Sequence, residues 1–481
     1  MSLIKQTSIS FFWNFLEQFL RRGIGIGITL VLAWFLIPED YGLIAMMAVF
    51  LSISSLIVEG GIGQALIRKL DVTQLDYSTA FYANIVLAVF AYGMLFLLAP
   101  WIAAFYGENL LVSLIRVSGL SILFGSLVVV QDVILSRELR FKLKLKIALP
   151  SSVIAGVIAI FLAYMGYGVW ALVTQMITSS ILTALLYWRL KIWRPSPEFS
   201  WSALKTLFGF GGYLFTEQLL SVLFNNLYVV VIAKTFLSST AGFYFFSEKI
   251  KDLVIHQVVN SIESVTYPAL AKLQSDNIKL KEGYRKITQV TTFLFFPVMA
   301  LLAALAEPLF QTILPVKWLP AALYLQLMCI AATLYPLHSI NLNILKVKGR
   351  ADIILYLGVY KKLVMIGVFI IALKFGVIGI LVGQIVSSIL AYIPNSYFSA
   401  KRINYSMLEQ IMDFVSSFML SSLIAGLVYG AVYWFKLPHL TEFILFGSMG
   451  GVAYLGGAYL LKMKGLNVLM DVVKSHRLST L

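Results

Sequence analysis

Apolar stretches of about 20 residues, separated by short polar connections, recur along the whole chain, and this pattern leaves few ways to fold. Such a run matches the thickness of a bilayer's hydrocarbon layer. There, a helix satisfies all of its own backbone hydrogen bonds within a single segment. Runs fall near Phe11 to Leu36, Tyr41 to Ile67, Tyr77 to Ala104, Leu111 to Leu135, Ile147 to Met165 and Val169 to Trp188. After a polar break they resume near Leu207 to Thr235, Gly242 to Thr266, Ile287 to Ala306, Ala322 to Leu345, Ile353 to Leu373 and Val377 to Phe398. A last pair lies near Ile411 to Trp434 and Phe443 to Leu461. The expected fold is an all-α membrane protein of about fourteen transmembrane helices. A mean hydropathy of +0.89, with 60% hydrophobic and 12% charged residues, makes lipid the solvent for most of the chain.

The net charge of +15 does not read as a nucleic-acid surface, because the basic residues fall in alternate connections rather than on one soluble face. Arg68, Lys69, Arg137, Arg140, Lys142, Lys144, Lys146, Arg189, Lys191 and Arg194 follow even-numbered spans, as do Lys272, Lys279, Lys281, Arg285, Lys346, Lys348, Arg350, Lys401, Arg402, Lys462 and Lys464. Opposite connections hold only Lys317, Lys374 and Lys436. By the positive-inside rule both termini are then cytoplasmic. The first run carries Glu17, Arg21 and Arg22 and lacks a small-residue cleavage site, so it reads as a retained helix rather than a signal peptide. A lone Cys329 excludes an intramolecular disulfide, and four scattered histidines lack metal-ligand spacing. No metal or cofactor is expected.

Shifting the chain against itself by 200 positions pairs Phe15 with Phe215, Glu17 with Glu217, Gln18 with Gln218, Leu20 with Leu220, Ala33 with Ala233 and Gly42 with Gly242. A second match sets Tyr167–Gln175 against Phe375–Gln384, at the turns into the sixth and twelfth spans. Two six-helix lobes follow, at 1–190 and 207–402, joined by a cytoplasmic linker at 191–206 that contains Pro195 and Pro197. Six is even, so the lobes share one orientation and are expected to be related by a pseudo-two-fold axis along the membrane normal. Two additional helices at 403–462 and a cytoplasmic tail at 463–481 complete the chain.

Charges inside spans are the candidates for function, because isolated ions facing hydrocarbon cost about 2.5 to 3.5 kcal/mol on insertion scales. Asn14, Gln18, Arg21 or Arg22, Gly25 and Thr29 recur at helical spacing on the first run, and Gln218, Ser221 and Asn225 on the seventh. Equivalent polar faces on equivalent helices suit one water-accessible cavity. Arg21 and Arg22 supply planar, permanently charged donors for a phosphate or pyrophosphate; the competing reading has Glu17 neutralise Arg21 one turn away. The eighth run carries Glu248, Lys249, Lys251, Asp252 and His256, with Lys249 and Lys251 as the next head-group candidates and local pairing as the alternative. Lys361 and Lys362 either snorkel or point inward. Arg116 and Asp132 read as side chains near helix ends that reach for the interface. Glu17, Glu217, Asp252 and Glu263 are candidates for ion coupling, since burial raises a carboxyl group's proton affinity.

Several short stretches carry a family resemblance: Pro38–Gly42 with Gly60–Gly63, Tyr267–Asp276, Lys317–Pro320 and Lys348–Asp352, in this order between the same helices. With them the chain resembles, over nearly its full length, the polysaccharide exporters of the multidrug/oligosaccharidyl-lipid/polysaccharide superfamily, of the colanic acid and teichuronic acid type. The resemblance implies alternating access of two six-helix lobes around a cationic cavity in the cytoplasmic (inner) membrane. It also implies a flippase, not an enzyme, that moves an undecaprenyl-diphosphate-linked oligosaccharide to the outer leaflet for surface polysaccharide synthesis. Membrane lipids, and a polysaccharide polymerase with its chain-length machinery, are the implied partners; no nucleic acid is. In related lipid-carrier flippases cations on the first and eighth helices engage the diphosphate, which matches Arg21, Arg22, Lys249 and Lys251 by place. Two other classes compete. A multidrug antiporter of the same superfamily binds cations and favours acidic and aromatic linings. A membrane glycan polymerase or ligase needs an outward loop with acid/base residues, and the longest here, Glu307 to Pro320, is short and plain.

Overall fold

The computed structural model describes residues 3–271 and 273–470, excepting the side chains of residues 3–12, 14, 15, 210, 213, 214, 256–265, 267–269, 271 and 351. Among the described residues there are helices and no strand. The chain divides into two compact units, Met1–Phe245 and Phe246–Leu481.

The first unit contains α1 (Leu3–Phe35), α2 (Pro38–Glu59), α3 (Ile62–Arg68), α4 (Gln74–Tyr106), α5 (Leu110–Ser118), α6 (Leu120–Ser126), α7 (Val129–Arg137), α8 (Phe141–Tyr164), α9 (Val169–Arg189), α10 (Trp201–Asn225) and α11 (Leu227–Thr235). The unit boundary falls within α12 (Ser238–Ala271). The second unit continues with α13 (Asn277–Ala304), α14 (Ala306–Ile313), α15 (Pro320–Ala332), α16 (Tyr335–Val347), α17 (Ala351–Leu373), α18 (Gly376–Ile403), α19 (Met407–Phe435) and α20 (His439–Leu460).

Among the described residues, 11 helices or nearly continuous helix pairs are long and apolar enough to cross a membrane, and up to 12 if the bent α5–α7 segment counts as one span. α1 and α12, of 33 and 34 residues, are long enough too, at about 50 Å each, but are interrupted by charged side chains. The molecule is thus a multi-pass membrane protein, and these two long helices are among those that the sequence singles out for function.

Breaks in the helices have identifiable causes. The second apolar run ends α2 at Gly60 and restarts α3 after Gly61, both with positive φ (49° and 68°) that glycine adopts without strain. A Cβ on Gly61 would also collide with the backbone of Gly211, so α10 packs directly on this turn. The fourth expected span is three short helices, bent by 44° where α7 begins. The connection from Glu307 to Pro320, expected to be a plain loop, contains α14 and a 3-10 turn; it folds because Phe310 and Trp318 are buried against Phe246, whose ring centroid lies 4.6 Å from that of Trp318.

The 200-residue offset has a structural counterpart in the first unit. A Cβ on Gly42 would collide with the carbonyl of Ser238, and one on Gly242 with the carbonyl of Pro38. Positions 38 and 238, and 42 and 242, are themselves repeat partners, so the starts of α2 and α12 touch through reciprocal contacts that only glycine allows.

The segment between α9 and α10 is tied to the start of α4. Trp193 Nε1 donates to Gln74 Oε1 (2.6 Å), Ser196 N to Ser78 Oγ (2.9 Å) and Ser200 N to Thr79 Oγ1 (3.1 Å).

In the second unit, α19 packs along α13 and α20 packs against α19 and α14. Gly450 and Gly457 of α20 allow close approach of Leu301 and Leu420, and Tyr454 donates its hydroxyl to the Phe293 carbonyl (3.0 Å). A buried polar clasp fixes the start of α19. Asp413 accepts from Arg285 Nε (2.7 Å), Gln289 Nε2 (2.8 Å) and the Tyr405 hydroxyl (2.5 Å). The final two helices are therefore bonded into this unit by specific ion and hydroxyl contacts rather than by apolar packing alone.

Candidate functional site

The first unit encloses a polar cavity of about 410 Å³. Each wall is one face of a helix, read from residues three or four apart. α1 contributes Glu17, Gln18 and Arg21; α8 contributes Phe141, Lys144, Ala148 and Ser152; α9 contributes Ser179, Thr183 and Tyr187; and Val128 and Asp132 stand at the start of α7.

Two ion pairs organise it. Glu17 approaches Arg21 Nε at 3.2 Å, so the one-turn pairing does form. Yet the Arg21 side chain stays 56% exposed. Across the cavity Lys144 Nζ donates to Asp132 (2.8 Å) and to Ser136 Oγ (2.6 Å), while the Tyr187 hydroxyl donates to the other Asp132 oxygen (2.8 Å). Two carboxylates thus balance two cations. An arriving anion can recruit both the Arg21 fork and the Lys144 ammonium, with the hydroxyls of Ser152, Ser179, Thr183 and Tyr187 available for further hydrogen bonds.

Of the residues singled out from sequence, Glu17, Gln18 and Arg21 line this cavity; Arg22 is half-buried and does not. Gln218 and Asn225 lie on α10, half-buried and exposed respectively, and Glu217 there accepts from Ser221 Oγ (3.2 Å); none of them lines the cavity. In the second unit Lys251 pairs with Asp252 (3.1 Å) and Glu248 (3.9 Å), while Lys249 is exposed. Lys361 and Lys362 are half-buried on α17. The side chains of Asn14, His256 and Glu263 lie outside the described residues.

Other cavity residues escape the sequence reading: Asp132, read as an interfacial side chain, Lys144, read as a topological charge, and Ser152, Ser179, Thr183 and Tyr187, which it does not single out. A signal lies in Gln175, Ser179, Thr183 and Tyr187, polar residues at intervals of four along α9, though Thr174, Thr178 and Ser180 beside them blur it. The Arg116 guanidinium lies 4.1 Å from the Phe96 ring centroid.

Comparison with known proteins places this geometry in a family. Residues 31–323 match the family model described as polysaccharide biosynthesis protein. The chain is similar to the teichuronic acid biosynthesis protein TuaB of Bacillus subtilis (strain 168), with 26% identity over 306 residues that span 63% of each chain. It is also similar to the lipopolysaccharide biosynthesis protein WzxC of Escherichia coli (strain K12), with 25% identity over 402 residues, 82% of this chain and 81% of that one. Among solved structures, the lipid II flippase MurJ in an inward closed conformation superposes with a TM-score of 0.73 at 16% identity, over 93% of this chain and 98% of that chain. An inward-facing MATE family multidrug transporter gives 0.57 at 16% identity, over 80% and 96%. These similarities to solved structures establish a shared fold. The chain belongs to the polysaccharide biosynthesis protein family.

Proposed function

We propose that this protein flips an undecaprenyl-diphosphate-linked oligosaccharide from the cytoplasmic to the outer leaflet. The observation that carries the reading is the hydroxyl- and ion-lined cavity enclosed by helices of membrane length. Such a lining is costly in lipid and suits a ligand with phosphates and sugar hydroxyls. Family membership, relatives named for teichuronic acid and lipopolysaccharide synthesis, and the fold shared with a lipid II flippase support the same substrate class.

In this reading α1 and α12 join the apolar spans to make fourteen, both termini are cytoplasmic, and two six-helix lobes at 1–190 and 207–402 alternate access to the substrate. The reciprocal packing of Gly42 and Gly242 supports the duplication behind those lobes. Arg21 and Lys144 take the diphosphate; Gln18 and the α9 hydroxyls take the first sugar. The lipid tail stays in the bilayer. Arg22, Lys249, Lys251, Gln218, Asn225, Lys361 and Lys362 are secondary contacts along the transport path, and Glu17, Glu217, Asp252 or Glu263 couples an ion to the cycle.

A second reading, an organic-cation antiporter of the same superfamily, draws on Glu17 and Asp132 in the same cavity. Proteoliposomes separate the two. The flippase reading expects a labelled undecaprenyl-diphosphate oligosaccharide to reach the opposite leaflet with the parent and not with Arg21→Ala or Lys144→Met. Efflux of organic cations with no movement of several lipid-linked glycans would select the antiporter.

A further inference from the structure

The cavity uses Asp132 of α7, but the residue before it is unexplained by binding. Gln131, and Asn84 on α4, are both fully buried, and in each the amide nitrogen and the amide oxygen lack a hydrogen-bond partner. One turn away on the same helix faces, Ala80 and Phe81 of α4 and Ile134 of α7 belong to one apolar core formed by α3, α4, α7 and Leu207 of α10. Four orphaned polar atoms on two side chains in such a core destabilise the conformation that holds them.

A second observation concerns how the same helix is held. α7 is the terminal piece of the broken span, bent by 44° at Leu127–Val128, so it is a short segment separate from α5 and α6. Its position is tethered from the cavity side, where Lys144 grips both Asp132 and Ser136 and Tyr187 grips Asp132. At its other end Arg137 donates to the Lys69 carbonyl (2.6 Å) and the Leu70 carbonyl (3.1 Å) beyond the end of α3.

We infer that Asn84 and Gln131 are the two halves of an interhelical amide pair, open in this conformation, that closes when α7 shifts, and that an anion in the cavity releases the shift. An anion that engages Lys144 competes with Asp132 for the ammonium and releases the cavity-side tether of α7, while Arg137 keeps the other end of the helix on the carbonyls of Leu66, Ile67, Lys69 and Leu70. The gain of an amide–amide contact in place of four unsatisfied atoms then favours the moved position. The core is thereby bistable, with cavity occupancy biasing one state. This inference rests on the proposed function in taking the cavity as the substrate site.

The test uses the full chain in nanodiscs, in a Cys329→Ser background, with spin labels at Val86→Cys on α4 and Glu138→Cys beyond α7, and inorganic pyrophosphate as the probe. The parent is expected to show two label–label distances whose ratio moves with pyrophosphate by about tenfold. Asn84→Leu/Gln131→Leu is expected to fold with a Tm at or above the parent's and to show one distance that ignores pyrophosphate. A parent with one distance at all pyrophosphate concentrations would overturn the inference. So would a double variant that responds as the parent does, or one whose Tm falls because the amides are satisfied in place by water. The flipping assay keeps the two ideas apart. A parent that moves no lipid-linked glycan but shifts with pyrophosphate sinks the proposed function and supports the switch.

Discussion

The two units use one chemical kit in two different solvents. In the first, Asp132 is held by a lysine and a tyrosine; in the second, Asp413 is held by an arginine, a tyrosine and a glutamine. The difference lies in access. The Asp132 side chain is 46% exposed, in a cavity lined by further polar groups, whereas that of Asp413 is 1% exposed. An open cluster can trade partners with a ligand, because water and ligand both reach it. A closed one cannot, and breaking it strands a charge, so it serves as a clasp for α19. A carboxylate beside a cation in a membrane helix is therefore not in itself a site; the side from which it can be approached decides.

The largest effect expected from this contrast is on stability in the second unit. Arg285→Ala leaves the buried Asp413 carboxylate with Lys464, at 3.6 Å, as its remaining cation and should cost about 3 kcal/mol, measured by unfolding in detergent. A loss below about 1 kcal/mol would erase the distinction between clasp and cavity. In the first unit Lys144→Met should change stability by no more than about 1 kcal/mol while weakening binding of the lipid-linked diphosphate by about 2 to 5 kcal/mol, read by titration in nanodiscs.

The matched tyrosines sharpen the comparison further. Tyr405→Phe removes a buried hydrogen bond to a charged acceptor and should cost about 1.5 to 3 kcal/mol. Tyr187→Phe, where water can replace the hydroxyl, should cost less than about 1 kcal/mol; equal costs would contradict the difference in access. The smallest effect concerns Asp276, which caps α13. Hydrogen bonds from the Lys279 backbone and side chain and from the Ile278 backbone hold its carboxyl below the usual range despite partial desolvation. Because its folded-state affinity for protons is depressed, its contribution is present above the unfolded carboxylate range and fades as pH falls through the folded value. Asp276→Ala should therefore lower Tm slightly at neutral pH and not in strong acid, a difference that differential scanning measurements resolve.

Much of this architecture is legible without coordinates, for a physical reason. Lipid forces long apolar runs and places cations in alternate connections, so the spans and the polar faces of α1 and α10 stand out as interruptions. What hides is anything that breaks a run without changing its hydropathy. The division at Gly60–Gly61, the bend before α7 and the helical turn at Ala306–Ile313 are set by tertiary packing on Gly211, the cavity and Phe246. The site was half visible for the same reason. Glu17, Gln18 and Arg21 interrupt an apolar helix and draw attention, whereas Lys144 sits at the start of α8 among Lys142 and Lys146, and only the fold separates it from their topological role. The clasp was invisible, because Arg285 and Asp413 are far apart in sequence and each resembles a charge near a helix end.

The central claim is that the cavity of the first unit holds the diphosphate. Photocrosslinking with an undecaprenyl diphosphate bearing a photoreactive group beside the phosphates, followed by peptide mapping, tests it most directly. The account predicts labelling of α1 around Gln18–Arg21 and of α8 around Lys144, suppressed by competing lipid-linked oligosaccharide and by Lys144→Met. Labelling confined to other helices, unchanged by Lys144→Met, would contradict it and leave the Asp132 cluster as a second clasp.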